Sequence, residues 1–261
     1  MTGEDRMIGT ARFVEAPKRV YQGTGFRVLD AIPRWVAPID AEGLESLLRA
    51  AAEPFPDPFA GSRLTFDDDT DGALRVEPWS PGVEPAWDEV WRSDFAPRFQ
   101  GVCRDVAFLR WRYLEHPRWQ YRVSVARRGP DGRPRGIAVA RVESLQGREE
   151  CVYRILDLLA VDEPSGEALA RALCSDARQC GAAFADFYCT SAAAAAPLEA
   201  VGFVREDRRS RALPALFQPL DFRPNPINAA FWMRGRKDAA EVFSDPDLYV
   251  TRIEGDQDRP N

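Results

Sequence analysis

The sequence predicts one α/β (α+β) domain with a mixed, mostly antiparallel central sheet flanked by helices. Three observations carry that expectation. Two strand-like runs surround a turn-forming tetrad, two amphipathic helical stripes precede them, and a strand-helix-strand-helix succession follows them. With 261 residues and 45% hydrophobic content the chain can bury a substantial core.

The elements can be justified in order. Leu74-Arg75-Val76-Glu77 alternates as a half-buried strand does. Pro85 can open a helix, because the first helical position needs no N–H partner, and Trp87, Val90, Trp91 and Phe95 then share one face. Asp105 is the expected N-cap of a second helix with Phe108, Leu109 and Tyr113 as its apolar stripe and Pro117 as its stop. Residues 121–126 and 136–142 read as a hairpin around Gly129-Pro130-Asp131-Gly132. Residues 153–161 pass from alternation into the continuous apolar stretch of a centrally buried strand. Ser165 stands where the next N-cap is expected, Leu169 and Leu173 share a face, and Gly181 ends the helix. Residues 183–188 form another strand, and an Ala-rich helix from Ser191 closes at Gly202. Phe203-Val204-Arg205 and Ala215-Leu216-Phe217 supply the last strands.

Before this body, residues 55–62 are rich in Pro, Phe and Gly and read as part of a linker over 56–71. Asp67-Asp68-Asp69-Thr70-Asp71-Gly72 begins like a calcium loop. Its twelfth position is Pro78 rather than the bidentate Glu that would close the site, so an acidic surface turn is expected. The division expected is a piece at 1–55, a linker at 56–71, the main domain at 72–235 and a tail at 236–261.

Composition excludes several classes. The five cysteines are odd in number and lack a C-x-x-C pair, which argues for buried free thiols over disulfides or a thiolate zinc site. His116 is the only histidine, which rules out a His-rich metal centre, and its place before Pro117 points to a structural role. A net charge of −6 disfavours nucleic acid, although twelve arginines face four acids between residues 92 and 141. No apolar run spans a bilayer and the first residues lack a signal-peptide pattern, so a cytoplasmic protein is expected.

Pro197-Leu198-Glu199-Ala200-Val201-Gly202-Phe203 is similar to the Y-E-K-x-G-F signature that closes the fourth helix of the GNAT (Gcn5-related N-acetyltransferase) family. The element order from residue 74 to about 233 also resembles that family's. Val20-Tyr21-Gln22-Gly23-Thr24-Gly25-Phe26, followed by Ile32-Pro33-Arg34-Trp35-Val36, is a second block of the same kind. Aligning Gly25 with Gly202 brings Phe26 onto Phe203, an internal repeat. The N-terminal piece therefore resembles the closing hairpin of a first domain in a tandem-GNAT chain.

The resemblance implies an acyltransferase moving an acyl group from acetyl-CoA, as co-substrate, to an amine. It places the co-substrate along residues 158–168, with Leu159, Val161, Ser165 and Gly166 as candidate contacts. In the family, glycines let backbone amides at a helix N-terminus approach the pyrophosphate. Here only Gly166 offers that, while Asp162, Glu163 and Glu167 repel anions and Pro164 lacks an N–H. Leu198 occupies the position of the family's usual acid, a tyrosine. Tyr188 and Asp157 are the nearest catalytic substitutes, Asp157 as a buried base. The tail's Gly-Asp-x-Asp-Arg-Pro resembles a closing motif of some bacterial GNAT-like proteins of surface polysaccharide pathways, which implies an amino-sugar acceptor and a polar role for Asp256, Asp258 and Arg259. The alternative is a catalytically degenerate GNAT-fold binding or scaffolding module, with a second copy or a partner chain completing its front half.

Overall fold

The computed structural model describes residues 6–11, 15–49, 64, 74–129, 132–206, 213–217, 220–222, 226–233 and 243–255. In chain order its elements are β1 (Arg6–Ala11), α1 (Glu15–Gly23), β2 (Arg27–Leu29), β3 (Arg34–Pro38), α2 (Ala41–Arg49) and β4 (Leu74–Pro78). There follow α3 (Glu84–Val90), α4 (Val106–Leu109), β5 (Arg122–Arg128), β6 (Pro134–Ser144), β7 (Cys151–Ala160), α5 (Glu163–Gln179) and β8 (Ala182–Tyr188). The chain closes with α6 (Ala192–Ala200), β9 (Val204–Arg205), β10 (Leu216–Phe217), β11 (Leu220–Asp221) and β12 (Asn228–Met233). The linker apart from Leu64, the acidic run at 67–72, the centre of the β5–β6 turn and the tail residues Asp256, Asp258 and Arg259 lie outside the described residues.

The main sheet runs β4-β5-β6-β7-β8-β3-β9, antiparallel except for the parallel pair β7–β8. Local signals set most of the helices. Asp105 caps α4 by accepting from the Phe108 amide at 2.9 Å, and Ser191 caps α6 by accepting from Ala194 at 3.2 Å. Both α3 and α4 run on as single π-helical stretches, Trp91–Phe95 and Arg110–Leu114. At α5 the expected cap is displaced. Asp162, not Ser165, is the N-cap, its carboxylate accepting from the Ser165 amide at 3.0 Å. A carboxylate three residues ahead of that amide has the cap geometry, and Pro164 is tolerated in the first turn, so the helix starts earlier.

The N-terminal piece is not a separate body. β3 lies between β8 and β9, with Trp35, Val36 and Ala37 buried, so the boundary expected at residue 55 cuts through the main sheet. The exchange is reciprocal. β12, from the far end of the main domain, lies between β1 and β2 in a second sheet. Thus β1-α1-β2 and β8-α6-β9 are two strand-helix-strand units, each completed by a strand from the other half of the chain. Their turns coincide in detail. Gly25 N donates to Gln22 O at 3.1 Å and Phe26 N to Tyr21 O at 3.0 Å, as Gly202 N does to Glu199 O at 3.0 Å and Phe203 N to Leu198 O at 3.0 Å. Both glycines have positive φ, 88° and 105°, which side-chain-bearing residues rarely adopt.

Beyond β12, the described core of the segment expected as a tail, residues 248–253, is buried. Leu248, Tyr249, Val250, Thr251 and Arg252 are all almost without exposure, held by bridges of Leu248 to Gln100 and Thr251 to Cys189, ahead of a 3-10 turn at Arg252–Glu254. Other expectations are refined in the same way. β10 pairs with β11 in a separate hairpin, and only Cys174 and Cys189 of the five free thiols are buried, Cys103 being exposed. The arginine-rich segment is dispersed among carboxylates of other elements, with Arg110 on Glu84, Arg122 on Asp176, Arg127 on Glu77 and Arg135 on Asp162.

Candidate functional site

β7 and β8 diverge. Their pairing runs from Cys151↔Ala182 to Ile155↔Phe187, yet β7 continues alongside β6 to Gly136↔Ala160. A bulge marks the parting, since Val139 pairs with Asp157 and Ala140 with Ile155, leaving Leu156 as the extra residue. Bulges bend a strand and increase its twist, which turns the end of β7 away from its neighbour. On the freed edge the Leu158 amide points into the fork, while Val161 donates the other way, to Arg135 O at 2.8 Å. Backbone groups alternate along a strand, so Leu158 and Ala160 present theirs to the fork.

A cavity of about 430 Å³ fills the fork. Its walls are residues 158–161 of β7, the first turn of α5, the small side chains of α6, Phe95 and Phe99 beyond α3, and Tyr249 of the C-terminal segment. Small residues on α6 create the space, and aromatic rings make one wall apolar.

Tyr249 connects this cavity to a buried polar cluster. Its hydroxyl accepts from Leu158 N at 3.0 Å and donates to Asp157 Oδ1 at 3.0 Å. Asp157 Oδ2 accepts from Tyr113 at 2.5 Å and from Arg104 Nε at 2.9 Å, and Arg104 also pairs with Glu254. Burial opposes charge on Arg104, but Asp157 and Glu254 outweigh it and hold its pKa well above the usual value. Burial, reinforced by Asp157, pushes the Tyr249 phenol well above its ordinary value, so it stays protonated. Burial likewise raises Glu254 against the pull of Arg104. Glu254 lines a second cavity of about 500 Å³, walled by Trp111, Trp119, Tyr121 and Glu115. His116 sits there with a structural task, its Nδ1 accepting from the Arg118 and Trp119 amides.

The candidates from the sequence separate into distinct places. Leu159 and Val161 line the fork cavity. Asp157 is at the centre of the cluster but is not the free base expected, because three donors occupy its carboxylate and turn it toward Tyr249. Tyr188 packs among Ile32, Phe231 and Leu248, with the Arg34 and Arg252 guanidinium carbons each 5.3 Å from its ring centre, and is not part of the cavity wall. Ser165 and Gly166 are also buried away from it. A Cβ on Gly166 would meet Pro197 Cγ at 2.6 Å, so the glycine is small because α6 crosses there, not to cradle a phosphate. Gly166→Ala should therefore destabilise the fold by about 1–3 kcal/mol through overpacking, although helix propensity alone would favour Ala by about 1 kcal/mol. A denaturant midpoint that rises would contradict this packing argument.

Sequence reasoning missed Tyr249, Arg104, Tyr113 and Glu254 as a set. The one available signal was the apolar-aromatic pattern of residues 248–252 in a segment otherwise read as a tail.

No protein-family model matches the chain, and no curated protein sequence matches it. Solved structures do. N-myristoyltransferase of Saccharomyces cerevisiae, with bound myristoyl-CoA, superposes with a TM-score of 0.54 at 12% identity, covering 89% of this chain and 55% of that one. A second structure of that enzyme gives 0.53 at 12% identity, over 89% and 52%. The chain has the GNAT fold. A GCN5-related N-acetyltransferase from Anabaena variabilis gives a TM-score of 0.47 at 12% identity, over 85% of this chain and 45% of that one. The chain thus spans about half the length of these proteins. Within its GNAT fold, the fork between β7 and β8 is the feature on which the site is built.

The acyl-CoA co-substrate that the sequence resemblance implies can be tested against these residues. The β7 edge and apolar cavity fit an extended thioester arm. The helix end does not fit a pyrophosphate, because Asp162 already occupies the Ser165 amide and Pro164 has none.

Proposed function

We propose that this GNAT-fold domain is an acyltransferase that takes an acyl thioester in the β7–β8 fork and transfers the acyl group to an amine. The observation that supports this best is Tyr249, a neutral phenol at the inner end of an open strand edge. The arm of the thioester lies along Ala160 as an added strand, outward of Leu158, whose amide is held by Tyr249. The amine nitrogen attacks the thioester carbon, the carbon–sulfur bond breaks, and Tyr249 gives its proton to the departing sulfur. The tyrosinate then recovers a proton from the newly acylated nitrogen. Asp157, fixed by Arg104 and Tyr113, accepts from the phenol and orients it before reaction, and the hydroxyl hydrogen turns from Asp157 to the sulfur as the carbon–sulfur bond breaks. Tyr249 thus takes the part that the family gives to a tyrosine on the helix where Leu198 stands.

The acceptor in this reading is a small amine, such as an amino sugar. The second cavity, with its Trp and Tyr wall and the carboxylates of Glu115 and Glu254, supports that choice. Tyr249→Phe should lower the rate of thiol release in the presence of an amine about 10²–10⁴-fold, far beyond the stability loss of about 1–3 kcal/mol expected from leaving the Leu158 amide and Asp157 Oδ1 without their partner. Unchanged turnover would remove Tyr249 from the chemistry.

One observation favours the second reading, a GNAT-fold binding module without catalysis. The capped end of α5 and the acids Asp162, Glu163 and Glu167 discourage the family's co-substrate. A second copy or a partner chain pairing with β1, an edge strand with β12 as its described neighbour, belongs to that reading too. Among the described residues no helix is long and apolar enough to cross a membrane.

A further inference from the structure

We infer that the fork recognises its donor by a pantetheine-like arm alone, and that the donor's far end is uncharged or cationic rather than a nucleotide phosphoanhydride. This rests on the thioester reading above and narrows the donor class within it.

The first ground is the backbone. A helix N-terminus binds phosphate through its unpaired first-turn amides. In α5, Pro164 has no N–H, Ser165 donates to Asp162 Oδ1, and Gly166 already donates to Asp162 O at 3.1 Å. The Glu163 amide is the one first-turn donor left among the described residues. An anion arriving there meets the Asp162 carboxylate on the adjacent amide.

The second ground is the lining. Among the described residues the lining holds Asp162, Glu163, Glu167 and Asp247 against one cation, Arg98. Arg135 and Arg171 offset two of these acids, pairing with Asp162 at 2.5 Å and with Glu167 at 3.2 Å, which leaves Glu163 and Asp247 as the acids set against Arg98 among the described residues. Hydrogen bonds from Ser165 and Arg135 outweigh partial burial and pull the Asp162 carboxyl down to about 2, so it is charged at any working pH. A di- or tri-anionic head group would bring like charges together at this rim, which is disfavoured by several-fold to many-fold in affinity.

The third ground is what the interior offers. Ala160 presents its backbone donor and acceptor to the fork beyond Leu158, whose amide is held by the Tyr249 hydroxyl, and the α6 and Phe95–Phe99 walls are apolar. An arm with two amides and a thioester matches that strip as an extra strand does. The glycine that a phosphate cradle would need is instead packed under Pro197.

The test is calorimetry on the full chain with pantetheine and with CoA at 50 mM and 500 mM NaCl. Pantetheine should bind at least about tenfold more tightly than CoA at low salt, and the gap should narrow at high salt as the rim is screened. The variant E163Q/D247N, which leaves the Asp162 cap intact, should tighten CoA about tenfold and leave pantetheine within about twofold. CoA binding tenfold tighter than pantetheine to the unaltered chain overturns this inference and leaves the thioester reading standing. Binding of neither compound overturns both.

Discussion

A chain beginning at residue 56 is expected to be unfolded, even though the sequence marks that point as a linker. The truncation removes β3 from between β8 and β9 and leaves the centre of one side of the sheet empty. It takes away Trp35, Val36 and Ala37, all fully buried, and Leu44 and Leu47 of α2, buried against Phe184. Each large side chain so lost forfeits about 1.5–3 kcal/mol of burial. It also removes Arg34, whose guanidinium hydrogen-bonds the wholly buried Asp186 at 2.8 Å, leaving that carboxylate with Arg154 at 3.9 Å, a loss of about 1.5–3 kcal/mol for a hydrogen bond between charged groups. Trp35 Nε1 would no longer satisfy Glu199, 2.6 Å away. The sum is on the order of 10 kcal/mol, as large as the stability of a whole domain. Far-UV circular dichroism and gel filtration of residues 56–261 should show loss of the cooperative melt and association through the exposed β8 edge. A native-like melt would mean that β3 is dispensable. Residues 1–55 supplied as a separate chain should restore part of the fold.

Arg104→Ala is expected to be the most damaging single substitution, lowering stability by about 3–5 kcal/mol. Arg104 has no exposure and holds two carboxylates, Asp157 and Glu254, that are equally buried. Without it they face each other unneutralised. For a chain of this size the loss corresponds to a fall in melting temperature on the order of 10 °C. The deficit carries a pH signature. Burial already raises the Glu254 pKa in the native protein, and losing Arg104 raises it further. An acid whose folded-state pKa exceeds its unfolded value destabilises the fold above that pKa, and the penalty shrinks as pH falls through it. The variant should therefore recover stability between pH 7 and pH 5, and R104M/E254Q should recover much of it at pH 7. A pH-independent deficit would place the effect in lost packing on Phe108, 4.5 Å from the guanidinium carbon, rather than in charge.

How much of this was legible is best seen in particular residues. Asp105, Ser191 and Gly202 act within four residues of themselves, and each was read correctly from its neighbours. Ser165 was misread because two capping residues stood three apart and local propensity does not choose between them. The buried polar cluster was out of reach for a different reason. Asp157 lies 53 residues from Arg104 and 92 from Tyr249, and Arg104 lies 150 from Glu254, so no spacing rule joins them. Tyr188, at the end of its strand, and Asp157, within the central strand, were both nominated from local sequence, but the splay of the fork sent them to different surroundings.

By itself the sequence determined which segments become strands and helices, where most helices start and stop, and that two Gly-Phe turns repeat, because these depend on backbone conformation and contacts a few residues apart. Only the tertiary structure decided that the repeats exchange strands, that the C-terminal segment enters the fork, and that Tyr249 and not Tyr188 meets Asp157. Strand pairing and burial of charge are settled between distant parts of the chain, where each partner's stability exists only once the other is in place.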